Sequence, residues 1–173
     1  MRKLIFLAPL LATACMTTEP QGPAPVPLIN ALGAPVGTVR VLPTPAGLDF
    51  RIDASGLPPG VHGIHVHAVG HCDPPDFTTA GAHWNPANRK HGFENPQGHH
   101  AGDLPNVTVG PNGVLHTSVL LPNGPAGTAG ALTDVDGAAL VIHAGPDDYR
   151  TDPSGNSGGR IACAVIAPPV LVR

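Results

Sequence analysis

Aromatic residues are scarce in this chain of 173 residues, which holds one tryptophan, one tyrosine and four phenylalanines. Charge is scarce as well, with nine lysines and arginines against twelve aspartates and glutamates. Without a basic surplus there is no footprint for nucleic acid, whose binding rests on neutralising backbone phosphates. A sustained 3.6-residue apolar pattern is also missing, and 22 glycines with 22 prolines would break any long helix. A helical bundle is thereby excluded, and short turn-rich segments point to an antiparallel barrel or sandwich. Glycine and proline at this level approach the disordered range, yet 42% hydrophobic and only 12% charged residues describe a chain that buries a core. The length suits one domain, and no internal repeat suggests a second.

Long apolar runs are absent except at the very start. Arg2 and Lys3 precede an apolar stretch from Leu4 to Leu11, and small residues lead on to Cys15. The run is too short for a stable membrane span and reads as an export signal over residues 1–14. Its ending, Leu11-Ala12-Thr13-Ala14-Cys15, resembles a bacterial lipoprotein signal, in which the cysteine becomes the lipidated N-terminus. Ordinary cleavage beside an incidental Cys15 is the alternative. The expected location is the bacterial cell envelope, outside the cytoplasm, with membrane attachment through Cys15 if it is lipidated. Loss of Arg2 and Lys3 takes the formal charge from −3 to −5. Residues 15–35, with Pro20, Pro23, Pro25 and Pro27, read as an extended tether, which places the domain over residues 36–173.

Three cysteines occur. Setting Cys15 aside leaves Cys72 and Cys163, an even pair in an exported protein, where disulfides persist. A bridge between them would close a loop worth ~4–5 kcal/mol of chain entropy, although measured values lie closer to ~2–4 kcal/mol.

Short strands account for most of the remaining chain. Residues 48–53 alternate strictly, placing Leu48, Phe50 and Ile52 on one face. Residues 61–67 do the same, with Ile64 and Val66 toward the core and His65 and His67 together on the opposite face. Further strands are expected over residues 36–42, 107–109, 114–121, 138–143 and 161–167. Asn123-Gly124 and Asp136-Gly137 mark turns. Two segments without periodicity, residues 71–103 and 145–160, are longer than structureless loops usually are in compact domains. The first must be held by something beyond its own packing, and metal coordination would do it.

Against these scarcities stand ten histidines, eight of them between His62 and His100. His65 and His67 on one strand face can grip a metal from one side, and His143 ends another strand. The first long loop adds His83, His91, His100 and Asp103, at intervals of eight, nine and three residues. Three imidazoles and one carboxylate suit closed tetrahedral zinc, whereas copper(II) prefers a flattened all-nitrogen set such as His65, His67, His83 and His143. The spacing favours a two-metal arrangement without fixing its membership. His62, His71, His99 and His116 read as surface or hydrogen-bonding residues.

Five blocks carry a sharper signal. Gly63-Ile64-His65-Val66-His67 resembles the copper-binding strand of copper/zinc superoxide dismutases. Ala80 to Pro86 with Arg89-Lys90-His91-Gly92, His100 to Asn106, Leu140 to His143, and Gly155 to Cys163 resemble further blocks of that family, in its order. The resemblance implies an eight-stranded antiparallel Greek-key β-barrel with long metal-binding and channel loops. It implies copper at His65, His67, His83 and His143, zinc at His83, His91, His100 and Asp103, and His83 shared between the ions. Asp147 would link a copper histidine to a zinc histidine, Arg160 would stand beside the open copper face, and Cys72 would be bridged to Cys163. The activity implied is dismutation of superoxide to dioxygen and hydrogen peroxide, with His83 and Arg160 taking part. Residues 147–160 are short and lack the glutamates and lysine common at the channel rim of animal members, and Arg150 has no evident place. The oligomeric state stays open. A copper-buffering lipoprotein of the same fold would not need Arg160 or a shared His83, and a zinc hydrolase would want an open zinc position.

Overall fold

The computed structural model describes residues 23–123 and 132–170. The expected signal over residues 1–14, Cys15, and Gly124 of the Asn123-Gly124 turn lie outside the described residues. The strands are β1 (Val26–Asn30), β2 (Pro35–Thr44), β3 (Gly47–Ala54), β4 (Gly60–His62), β5 (Ile64–His67), β6 (Val107–Val109), β7 (Leu115–Pro122), β8 (Ala138–His143) and β9 (Arg160–Ala167). Among the described residues the only helix is a single 3₁₀ turn, Thr78–Ala80. One sheet runs β5-β8-β9-β1-β2-β3-β7, and β4 pairs with β6 in a two-stranded ribbon. Every pairing is antiparallel.

The single strand expected over residues 61–67 is interrupted at Gly63, whose N–H donates to the carbonyl of Gly145 (2.8 Å) instead of to a ladder. A Cβ there would come within 3.0 Å of the Ser157 Cβ and 3.3 Å of the Asp147 Cβ. Glycine lets the chain leave the ribbon, pass under the second long loop and join the larger sheet. Taken as halves of one strand, β4 and β5 give the expected eight-stranded all-β architecture, a curled antiparallel sheet.

The tether expected over residues 15–35 is shorter than the prolines suggest, and the domain begins before residue 36. Val26–Asn30 is a strand between β2 and β9, and Leu28 is fully buried. Prolines hold a chain extended, and Pro27 sits opposite Thr38 in a strand that accepts this as readily as a linker would.

Inside the curled sheet, Leu28, Phe50, Ile52, Ile64, Val66 and Leu140 belong to one continuous core. The outer face of β5, β8 and β9 is covered too, so all six residues of β8 are buried. There Ala139, Val141 and Cys163 pack against Phe77 and Ala80 from the first long loop. Backbone bonds tie that loop to β5: Val66 N–H to Gly102 O (2.8 Å), Trp84 N–H to Val66 O (2.8 Å) and Ala68 N–H to Ala82 O (2.9 Å). The Cys72–Cys163 disulfide, with Cα atoms 5.7 Å apart, fastens it to β9. Metal is therefore not the only thing available to order the loop.

If β1 is integral to the barrel, Leu28→Ala should cost about 2–5 kcal/mol, the range for deleting a buried leucine side chain. Urea unfolding checks this. A midpoint matching that of the parent chain would return residues 26–30 to the tether.

Candidate metal centre

The alternation in β5 places His65 opposite Val141 and His67 opposite Ala139, on the outer face of the barrel. His143 joins them through a bulge: the ladder pairs Ile142 with Ala162 and then His143 with Arg160, passing over Ile161. Bulges of this kind re-aim a side chain at a strand end. The first long loop delivers its ligands by bridging β5 directly, with His83 opposite His67 and Asp103 opposite His65.

Four ring nitrogens from His65, His67, His83 and His143 come within 4.8 Å of one another. The nitrogens His65 Nδ1, His67 Nε2, His83 Nε2 and His143 Nε2 are buried and without a hydrogen-bond partner. In three rings the other nitrogen explains which one is left bare. His67 Nδ1–H donates to Gly81 O (2.9 Å), His143 Nδ1–H to Gly158 O (3.3 Å) and His65 Nε2–H to Asp147 Oδ2 (2.8 Å). Each acceptor fixes a tautomer and turns a lone pair toward the common centre. Burial lowers the affinity of these rings for protons: His67 to about 2, His143 to about 3 and His83 to about 4. Burial also lowers His65, against the pull of Asp147. Four neutral, desolvated nitrogens with no partner are costly to bury, and a cation would satisfy them.

A second set lies on the other side of the His83 ring. Asp103 Oδ1 is 3.0 Å from His83 Nδ1, 3.0 Å from His91 Nδ1 and 3.2 Å from His100 Nδ1. His100 Nδ1 is 3.3 Å from His83 Nδ1. The other carboxylate oxygen accepts the N–H groups of Gly92 (2.9 Å) and His100 (3.0 Å), which aims Oδ1 at the three rings. His65 also approaches this group, but its Nε2 is engaged by Asp147 and its Nδ1 faces the first set. His100 is the better fourth member.

Asp147 couples the two sets. Its carboxylate accepts from His65 Nε2 at 2.8 Å and from His91 Nε2 at 3.0 Å. Burial opposes charge on His91, but Asp103 and Asp147 on its two sides raise it to about 9. Burial likewise opposes ionisation of both carboxyls, and the surrounding histidines hold them well below the usual range. Asn106 clamps the Asp147 backbone, its Nδ2 donating to Asp147 O (2.8 Å) and its Oδ1 accepting from Asp147 N–H (2.9 Å). Asp152 accepts the His91 backbone N–H at 2.8 Å. Sequence reasoning gave neither Asn106 nor Asp152 a role. Asn106 closes a block already singled out, whereas nothing local marks Asp152.

A cavity of about 610 Å³ opens beside His67, His83 and His143. Arg160 lines it, its guanidinium held by Phe77 O (2.6 Å) and Gly81 O (2.7 Å). Arg150 is turned away and its Nε pairs with Glu94 (2.6 Å). Of the remaining histidines, His62 is buried between Pro58 O and His143 O, both at 2.8 Å. His116 pairs with Asp53, His99 bonds to His100 O and lies tilted against Phe93, and His71 is exposed.

Gly155 shows how little room the coupling leaves. Its φ is +63°, and a Cβ would stand 1.8 Å from Asp147 Oδ1 and 2.8 Å from His91 Nε2. Gly155→Ala should displace Asp147 and weaken metal binding about 10–100-fold, as loss of a partner behind a ligand does. Competition with a chelator measures this, and unchanged affinity would contradict the coupling.

Residues 36–166 match the family model described as copper/zinc superoxide dismutase. The chain is 44% identical over 142 residues to superoxide dismutase [Cu-Zn] 1 of Aquifex aeolicus, covering 80% of this chain and 84% of that protein. It is 41% identical over 138 residues to superoxide dismutase [Cu-Zn] of Caulobacter vibrioides, covering 78% and 79%. The crystal structure of a SOD-like protein from Bacillus subtilis superposes with a TM-score of 0.76 at 44% identity, covering 82% and 97%. With the family model spanning most of the barrel and relatives this similar along most of their length, the chain belongs to the copper/zinc superoxide dismutase family.

Proposed function

We propose that the chain is a superoxide dismutase in which His65 Nδ1, His67 Nε2, His83 Nε2 and His143 Nε2 hold copper. Zinc is held by Nδ1 of His83, His91 and His100 with Asp103 Oδ1. The observation that carries this reading is the set of four buried, unpartnered ring nitrogens that shares His83 with a second set of four donors. An all-nitrogen set suits copper(II), and three imidazoles with a carboxylate suit zinc. The three separations from Asp103 Oδ1, 3.0–3.2 Å, and that between His83 Nδ1 and His100 Nδ1, 3.3 Å, lie close to the ~3.3 Å edge of a tetrahedron with ~2.0 Å bonds.

Copper held there would supply the one-electron redox couple by which one superoxide is oxidised to dioxygen and a second reduced to peroxide, and zinc, which is redox-inert, would not. The residues provide the protons and the path. When Nε2 of His83 is not bound to copper it would hold a proton and pass it to the second superoxide, which gains one more proton from water and leaves as hydrogen peroxide, freeing Nε2 to bind copper again. With Nδ1 facing Asp103 and His100, zinc held on that side would keep the ring from turning away between these events. Arg160, fixed by two loop carbonyls, presents a cation to a small anion inside the cavity. Asp147 keeps His65 and His91 in register, so that strain at one set is felt at the other.

The same reading includes export by residues 1–14 and attachment of Cys15 to a membrane lipid, followed by a tether that ends at β1. The Cys72–Cys163 disulfide supports a compartment outside the reducing cytoplasm.

Purified protein loaded with both ions should hold one copper and one zinc per chain and accelerate superoxide decay far above the free-protein background. His83→Ala should lose affinity for both ions. A fully loaded chain without activity would favour copper buffering, and His83→Ala affecting one ion alone would break the shared site. Incorporation of a labelled lipid precursor, abolished in Cys15→Ser, tests the anchor, and an unlabelled wild type would rule it out.

A further inference from the structure

We propose that Arg89, on the first long loop, is the outer cation that draws superoxide into the cavity, with Arg160 as the inner one. Three cationic side chains line the cavity, Arg89, Lys90 and Arg160, together with one carboxylate, Asp152. Lys90 Nζ lies 3.0 Å from Asp152 Oδ2, so its charge is cancelled where it stands. Asp152 is itself tied down, because its other oxygen accepts the His91 N–H at 2.8 Å. Arg160 is held at the inner end by carbonyls. Among the described residues the Arg89 guanidinium has no carboxylate or carbonyl partner, while its backbone is gripped from both sides. Asn85 Oδ1 accepts the Arg89 N–H (2.9 Å), and Asn85 Nδ2 donates to Arg89 O (2.8 Å). The root of the side chain is fixed and its charge is free to face the mouth.

Other arginines are committed away from the cavity, Arg150 to Glu94 and Arg51 to Asp49. The formal charge, −5 once Arg2 and Lys3 are lost with residues 1–14, opposes an approaching anion, so attraction has to come from charge local to the mouth, where a low-dielectric wall concentrates the field. The segment between Asp147 and Arg160, short of cations apart from Arg150, does not supply it. The metal-binding loop does, and Asn85 is the positioning residue for Arg89.

This inference rests on the copper site proposed above. The test compares wild type with R89S, R89E, R89K and D152N, all copper- and zinc-loaded with metal content verified. Two quantities are read at ionic strengths from about 0.01 to about 0.5 M: the bimolecular rate with superoxide, and the Kd of azide, followed by absorbance. At low salt R89S should be about 2–4-fold slower and R89E about 5–10-fold slower, with azide affinity falling in the same order. At about 0.5 M, where the Debye length is only ~4 Å, both should converge on wild type. R89K should keep the wild-type rate. D152N, which retains an acceptor for the His91 N–H but frees Lys90, should be about 2-fold faster at low salt. R150S removes the same charge outside the cavity and should stay close to wild type. R89E matching wild type at low salt, a deficit that persists at high salt, or an R150S loss equal to that of R89S would each overturn the assignment. If R89E does not load metal, the ordering of wild type, R89K and R89S decides. Azide affinities in the expected order with no dismutation in any variant would overturn the proposed activity and leave Arg89 as an anion-attracting residue.

Discussion

The imidazole of His83 faces two donor sets at once, and much of the structure can be traced to that demand. One nitrogen must reach His65, His67 and His143 on the barrel wall, and the other must reach His91, His100 and Asp103 on a loop. Wall and loop therefore have to approach within the width of a single ring. The backbone achieves this by laying the loop along β5, with His83 opposite His67 and Trp84 N–H donating to Val66 O at 2.8 Å. Gly102, whose N–H donates to Trp84 O and whose carbonyl accepts from Val66, allows a third segment into the same space. The pairing explains how a segment without periodicity can bring His83 and Asp103 against β5.

A close approach of this kind has to be held against the conformational entropy of some thirty loop residues. Three restraints act independently of any ion. Phe77 and Ala80 bury themselves on Ala139 and Val141, the disulfide ties Cys72 to β9, and Asp147 with Asn106 and Tyr149 locks the second long loop onto the first. The result is a site whose ligands are preorganised but electrostatically unsatisfied. Four neutral nitrogens have no partners, and two further rings, with the far side of His83, crowd one carboxylate oxygen. Preorganisation without satisfaction is a sound basis for tight metal binding, because the cost of ordering the ligands has already been met by packing.

How much of this was legible beforehand differs from residue to residue. The two-residue repeat put Ile64 and Val66 in the core and His65 and His67 outside it, because a strand has no other way to sort alternating side chains. The strands containing Phe50, Leu140 and Val165 were readable for the same reason. β1 was not, since its prolines fit a strand and a tether equally well. Neither was the break at Gly63, which depends on Ser157 and Asp147, more than eighty residues away. The division of donors between two ions came from resemblance to a family, because intervals of eight and nine residues carry no period. Asn106 acts through two hydrogen bonds across 41 residues and Asp152 through one to the His91 N–H across 61, and such contacts leave no local trace. Lys90 and Arg89 look equivalent in sequence, and only the position of Asp152 separates a cancelled charge from a free one.

The central claim is that His83 stands between two different ions. Anomalous diffraction from crystals of the loaded protein kept in its oxidised, copper(II) state, recorded at the copper and zinc absorption edges, tests it directly. The account predicts two separate peaks on opposite sides of the ring, copper next to Nε2 and zinc next to Nδ1, each at ~2.0–2.1 Å from its nitrogen. Both edges giving peaks at a single position, or an ion bound by His65, His67 and His143 with His83 Nε2 left outside its coordination, would contradict it.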